Sequence, residues 1–269
     1  MTDLAAQLLE TAELAARRAG KIVRDGYGLP HTVRQKKGPR DLVTETDRDA
    51  QEAALDVISR AHPDHTILAE EAPQFRPDSR GVWPIPDGVV WAVDPLDGTT
   101  NYTTDLPLVC VSMGAALDGH PVAGAIYDPL RDEMFLGTPD GTATLNGRPL
   151  PALQPTTLME STIAVDWSRG RRTRDEMVAS VFALSRQSRT LRALGSAALA
   201  LAYVAAGRVQ VYMNFGLQPW DTAAGAAIIK AAGGQTWRPD GTAWRFGEPG
   251  VLTGHPDVLA AAVEALRKA

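Results

Sequence analysis

The stretch Val89-Val90-Trp91-Ala92-Val93-Asp94-Pro95-Leu96-Asp97-Gly98-Thr99-Thr100-Asn101 decides how this chain is read. The unbroken apolar run Val89–Val93 predicts a short strand buried on both faces. It ends at Asp94, and a second acid, Asp97, follows closely. Buried carboxylates are costly unless a cation or a basic partner stands beside them. Pro95 fixes one backbone torsion, and Gly98 allows a tight turn with its amide open to a ligand. Thr99, Thr100 and Asn101 read as a helix start, where unpaired amides favour an anion. Acids for a hard cation beside amides for a phosphate point to metal-assisted phosphate chemistry. An acidic turn closed by an Asx cap is the plainer alternative.

Upstream, residues 3–25 carry Leu4, Leu8, Ala12, Ala15, Ala19 and Ile22 at helical spacing. A short strand over His31–Gln35 leads to a basic turn, Lys36-Lys37-Gly38-Pro39-Arg40. In Asp41-Leu42-Val43-Thr44-Glu45-Thr46-Asp47, Thr44 or Thr46 caps the next helix, which ends near Ala61-His62-Pro63. Asp47 alone would do no more than complement the helix dipole. A brief strand, Thr66–Ala69, then delivers Glu70 and Glu71, and residues 72–88 form a loop rich in Pro, Asp and Gly.

Downstream, residues 106–146 read as an antiparallel meander, with turns at Asp118-Gly119, Asp128-Pro129 and Asp140-Gly141. From about residue 151, strands near 161–165, 190–194, 209–213, 235–237 and 250–253 alternate with helices near 173–186, 196–206, 221–232 and 256–267. The expectation is α+β followed by α/β: a subdomain over 1–150 and a second over 151–269 that share a cleft. Asp221, in Gln218-Pro219-Trp220-Asp221-Thr222-Ala223-Ala224-Gly225, starts a helix of small residues suited to close packing.

A hydrophobic share of 44% and a charged share of 22% are those of an ordinary globular protein. The net charge of −5 argues against nucleic acid as the main partner, and Arg169, Arg171, Arg172 and Arg174 make only a local basic cluster. The single cysteine, Cys110, permits no disulfide framework and suits a reducing cytoplasm. No apolar run approaches a membrane span. The five histidines show no zinc-type spacing, so a metal here would have oxygen ligands.

Taken together, these stretches resemble the inositol monophosphatase family. Asp94–Asn101 is similar to its first signature, and Trp220–Gly225 followed by Gly233-Gly234 to its second. Asp41–Asp47 and Glu70-Glu71 are similar to its two upstream elements, and the likeness spans nearly the whole chain in the family's order. The resemblance implies a layered α/β/α/β/α sugar-phosphatase-like fold with an antiparallel N-terminal sheet and a mostly parallel C-terminal sheet. It implies hydrolysis of a small phosphate monoester, an inositol phosphate or another polyol or sugar phosphate, by a water that Mg²⁺ activates. Carried over by position, Glu70, Asp94 and the Leu96 carbonyl would hold one ion, and Asp94, Asp97 and Asp221 a second. Glu70 would also help a third. Asp47 and Thr99 would orient and deprotonate the water, and the Gly98 and Thr99 amides would receive the phosphate. Gly195, Ser196, Ala197 and Asn214, with Asp97 and Asp221, would face the substrate, and Lys36 would sit on a mobile loop that reaches the site. The resemblance also implies lithium sensitivity, a cytoplasmic homodimer and a small phosphorylated metabolite as partner.

Two positions depart from the family pattern. Ala69 replaces the usual Gly before the acid pair, and Asn214 replaces an acid that accepts hydrogen bonds from ring hydroxyls. Fructose 1,6-bisphosphate, histidinol phosphate, NADP and 3′-phosphoadenosine 5′-phosphate are therefore alternative substrates. A regulatory binding protein with incidental catalysis is the alternative from another class.

Overall fold

The structure, a computed structural model, describes residues 2–38, 41–168 and 170–268. Pro39 and Arg40 of the basic turn and Arg169 of the arginine cluster lie outside them. Helix α1 (Thr2–Gly26) buries Leu8, Ala12, Ala15 and Ala19 of the predicted stripe together with Val23, while Leu4 and Ile22 are half-buried. Strands β1 (Arg34–Gly38) and β2 (Asp41–Val43) pair antiparallel and lead into α2 (Glu45–Ala61), for which Thr44 is the N-cap. Strand β3 (Thr66–Ala69) lies parallel to β4 (Val89–Asp97).

Strand β4 does not stop at Asp94. It runs on to Asp97, with Asp94 opposite Ser112 and Asp97 opposite Cys110, so one extra residue is accommodated by a bulge. Pro95, which has no amide for the ladder, falls in that bulge. A short helix, α3 (Thr99–Tyr102), follows, and then β5 (Cys110–Leu117), β6 (His120–Asp128), β7 (Glu133–Gly137), β8 (Thr144–Leu145) and β9 (Arg148–Pro149). Strand β8 falls within the expected meander over 106–146, and β9 extends it into a further hairpin. Its Asn146-Gly147 turn has φ of 50° and 74°, the primed geometry that this dipeptide favours.

A 3₁₀ turn at Leu158–Glu160 precedes β10 (Thr162–Val165), α4 (Arg171–Ser185), β11 (Thr190–Ala193), α5 (Ala197–Ala205) and β12 (Val211–Asn214). The chain then forms α6 (Pro219–Ala231), β13 (Gln235–Trp237), β14 (Val251–Gly254) and α7 (Pro256–Arg267). Two sheets carry the main core. The larger has seven strands in the order β3-β4-β5-β6-β7-β8-β9, antiparallel apart from the β3–β4 pair. The smaller has five, in the order β11-β10-β12-β14-β13. Strand β10 is parallel to both of its neighbours, whereas β14 is antiparallel to both of its own. The sheet expected to be mostly parallel is thus mixed. No crossover helix separates β13 from β14, and only such a crossover would align them in parallel.

Helices α1 and α2 cover one face of the large sheet, and α5 and α6 lie between the two sheets. Helices α4 and α7 cover the far face of the small sheet, completing the α/β/α/β/α layering. Helix α6 sits unusually close to the large sheet. A Cβ on Gly114 would stand 2.5 Å from Ala223 Cβ, and one on Gly124 would stand 2.2 Å from the Ala224 carbonyl oxygen. That approach sets the height of Asp221 over the end of β4. No helix among the described residues is long and apolar enough to cross a membrane.

Candidate active site

A cleft of about 490 Å³ opens where the C-terminal end of β4 meets the segments after β10, β11 and β12 and the start of α6. Glu70, Asp94, Leu96, Asp97, Gly98, Thr99, Gly195, Ala197, Asn214 and Asp221 line it, so the structure gathers most of the sequence-derived site in one place. Carboxylate oxygens of Asp94, Asp97 and Asp221 lie within 4.8 Å of one another. The β4 bulge brings the first two together, and the start of α6 supplies the third.

Each acid is braced by its own surroundings. Asp94 is buried, and its Oδ1 accepts from the Leu96 amide at 3.0 Å. Burial, then the charges of Glu70, Asp97 and Asp221, push its pKa well above the usual carboxylate range. Asp97 Oδ2 accepts from Ser196 Oγ at 2.7 Å and from the Ala198 amide at 2.6 Å, the latter in the first turn of α5. Asp221 Oδ2 accepts from the Gln218 amide at 2.7 Å, which caps α6 and fixes the side chain.

Asp47 is fully buried, and burial raises its pKa against the pull of its hydrogen bonds to Thr44 and Thr99. Its Oδ2 accepts from the Thr44 amide at 2.8 Å and the Thr44 hydroxyl at 2.6 Å. Its Oδ1 accepts from Thr99 Oγ1 at 2.9 Å, and that hydroxyl also lies 3.2 Å from the Leu96 carbonyl. A threonine that donates to a carboxylate keeps its lone pairs for accepting a proton from a bound water. Gly98 takes φ 97°, and a Cβ there would come within 2.9 Å of the Leu108 carbonyl, so the turn requires glycine.

Lys36 reaches Glu70 Oε1 at 2.8 Å and Glu71 Oε1 at 2.7 Å. Burial works against its charge, but the two glutamates outweigh burial and raise its pKa. Burial and the neighbouring Glu70 charge push Glu71 up to about 7. Of the expected substrate-side residues, Gly195 and Ala197 face the cleft, while Ser196 is buried and serves Asp97. Asn214 is buried and engaged from both ends. Its Oδ1 accepts from Ser168 Oγ at 2.9 Å and the Gly216 amide at 2.8 Å, and its Nδ2 donates to the Asp166 carbonyl at 3.2 Å.

Asp166 is the acid lining the cleft that the sequence reading does not single out, beside apolar and polar lining residues such as Trp167, Ser168 and Arg174. Its Oδ1 accepts from the Gly195 amide at 2.6 Å, and burial, with the Asp97 charge adding to it, pushes its pKa up to about 7. The signal was present: Ile163-Ala164-Val165-Asp166 is an apolar run ending in an acid, as at Asp94.

A layered fold with converging carboxylates beside a glycine turn and a helix start defines a class, the phosphatases that work with metal ions. The profile of the inositol monophosphatase family matches residues 4–269, and the chain belongs to that family. It is 36% identical over 265 residues to inositol monophosphatase 1 of Solanum lycopersicum, covering 97% of this chain and 95% of that one. It is also 36% identical to Nus factor SuhB of Escherichia coli, over 84% of this chain and 83% of that one. The solved inositol monophosphatase of Anabaena superposes with a TM-score of 0.84 at 34% identity, covering 97% of this chain and 95% of that one. The protein is thus a phosphoric monoester hydrolase of a metal-dependent family.

Proposed function

We propose that this phosphatase hydrolyses a small polyol or sugar-like phosphate monoester with the help of Mg²⁺. The observation that carries the reading is the approach of Asp94, Asp97 and Asp221 to within 4.8 Å of one another. The donor set is all oxygen, which suits a hard cation that keeps several of its waters. Cation binding would also offset the burial and the neighbouring acid charges that together raise the Asp94 pKa. Glu70, Asp94 and the Leu96 carbonyl would hold one ion, Asp94, Asp97 and Asp221 a second, and Glu70 would assist a third. When bound, such ions neutralise phosphate charge and make a water acidic near neutral pH.

The chain's own groups do the rest. Thr99 Oγ1 accepts a proton from the attacking water as it passes its own hydroxyl proton to Asp47 Oδ1, which ends as the neutral acid. The Gly98 and Thr99 amides receive the phosphate oxygens. Gly195 and Ala197 leave room for the departing alcohol, and Lys36 waits at the acidic side of the cleft. On this reading residues 1–150 supply most metal ligands and 151–269 complete the cleft. The protein then works as a cytoplasmic homodimer open to lithium inhibition.

The test is phosphate release, with and without Mg²⁺, from inositol 1-phosphate, fructose 1,6-bisphosphate, histidinol phosphate, NADP, 3′-phosphoadenosine 5′-phosphate and glycerol 2-phosphate. Asp94→Asn serves as the blank. Mg²⁺-dependent release that the variant lacks supports the reading, and no release from any compound counts against it. The likeness to a Nus factor favours a second reading, association with the transcription apparatus. Capture of transcription complexes by the Asp94→Asn protein would establish that role apart from catalysis.

A further inference from the structure

We infer that Trp83, on the loop over residues 72–88, is a positioning residue for the acid cluster. It acts through Gln218 and Trp220, which fix the turn of α6 that carries Asp221. This deepens the proposed function and rests on it.

Helix α6 has an uncommon start. Asn, Asp, Ser and Thr lead at helix N-caps because their short side chains turn back onto the first free amides. Gln218 takes that place here, in extended backbone at φ −103° and ψ 165°, and forms a capping box with Asp221. Its backbone serves Asp221 twice: its amide donates to Asp221 Oδ2 at 2.7 Å, and its carbonyl accepts from the Asp221 amide at 3.1 Å. A glutamine side chain has more rotamers to lose than a serine or an asparagine, so a cap built on it needs an outside brace. Trp83 supplies one, donating from Nε1 to Gln218 Oε1 at 2.9 Å.

The same indole meets Trp220 edge to face, with ring centres 5.1 Å apart at 70°. One side chain thus braces the residue three before Asp221 and the residue directly before it. Trp83 is itself fixed. It is 4% exposed and packs in a cluster with Val90, Ala92, Ala223 and Phe246. Its amide donates to the Gly247 carbonyl at 3.0 Å. Just upstream, Asp78 Oδ1 closes a turn by accepting from the Arg80 and Val82 amides at 2.8 Å and 3.0 Å.

This brace bears on the metal because the three acids come from two elements. Asp94 and Asp97 share β4, whereas Asp221 arrives on α6. Without a cation the three carboxylates repel, so the start of α6 has to be held in place against them. Partners behind a ligand tune metal affinity by keeping the ligand pre-aimed. Trp83 does so from a loop that supplies no ligand of its own.

Trp83→Phe deletes the N–H and keeps a ring against Trp220. Gln218→Met removes the acceptor from the other side and keeps the backbone amide that serves Asp221. Calorimetric titration of Mg²⁺ into wild type, each variant and the double variant reads the effect. Loss of one neutral hydrogen bond should raise the Mg²⁺ dissociation constant about 3- to 10-fold in each single variant. The double variant should lie within about twofold of the weaker single one, because both changes break the same bond. Half-maximal phosphate release should need more Mg²⁺ by the same factor. A purely structural Trp83 would lower the melting temperature and leave Mg²⁺ affinity unchanged, which overturns the inference. Losses that multiply in the double variant also overturn it, since the two residues would then act apart. Should Trp83→Phe fail to fold, unchanged affinity in Gln218→Met contradicts the inference and a 3- to 10-fold loss supports it. Failure of the phosphatase reading looks different: wild type itself would bind no Mg²⁺ and release phosphate from no ester.

Discussion

Two strands of this molecule, β4 and β10, run from an apolar core to an acid at the cleft: Val89–Val93 into Asp94, and Ile163–Val165 into Asp166. At β4 a bulge swings Asp97 beside Asp94, and close packing of α6 adds Asp221. At β10 no second acid follows. Asp166 meets a backbone amide, and the neighbouring strand ends in Asn214. Both acids have raised pKa values, with burial as the first cause, but at Asp94 three other carboxylates add to the push and at Asp166 one does. The lesson is that a buried acid at a strand end does not announce a metal site. Convergence of further acids does.

That contrast can be broken or sharpened by substitution. Asp94→Asn should have the largest effect on activity. Loss of an outer-shell partner costs roughly 10–100-fold, and loss of a shared ligand should exceed that. The melting temperature of the metal-free variant should stay level or rise, because a neutral side chain removes repulsion within the cluster. Near-normal turnover in a folded variant would break the contrast at its stronger side. Thr99→Ala should lower kcat by about 10²–10⁴-fold if Thr99 and Asp47 handle the proton. It should also cost roughly 1–3 kcal/mol in denaturant unfolding, because Asp47 Oδ1 loses its hydroxyl donor.

Gly124→Ala probes the packing that brings Asp221 in. The added methyl cannot fit against Ala224 without moving α6, so unfolding should become easier by about 1–3 kcal/mol. Mg²⁺ affinity should fall with it, and unchanged affinity would mean that the height of α6 does not matter to the cluster. The smallest effect is expected at Asp166. Its pKa is about 7 in the folded protein against an ordinary 3.8, so the folded state holds a proton that the unfolded chain has released. The stability it contributes is fully present below the lower value and is lost as pH rises through the upper one. Metal-free wild type should therefore lose melting temperature between about pH 4 and pH 7 more steeply than Asp166→Asn. Parallel curves would place Asp166 in water rather than in the cleft wall.

Local pattern made the β4 site legible. The run Val89–Val93 predicts a strand and the pair Thr44 or Thr46 a helix cap; the structure contains both, with Thr44 as the cap. Helix α1 was similarly readable from its apolar spacing, and α2 from its cap. The bulge at Pro95 was not, because it depends on which residues of β5 lie opposite. Nor was the mixed order of the small sheet, since strand direction there follows from a loop rather than from any residue in β14. Asn214 shows a different limit. Its residue type suggests altered ring recognition, yet only the structure reveals that Ser168, Gly216 and Asp166 already occupy it. Asp166 carried the right local signal without the second acid that drew attention to Asp94.

The central claim is that Asp94, Asp97 and Asp221 hold the ion on which phosphate release depends. Calorimetric titration of Mg²⁺ into wild type, Asp94→Asn and Asp221→Ala, with phosphate release followed in parallel, tests it most directly. The account predicts that wild type binds Mg²⁺, that release rises with occupancy, and that both variants lose affinity and activity together. Unchanged Mg²⁺ affinity in either variant, or release that persists undiminished in excess chelator, would contradict it.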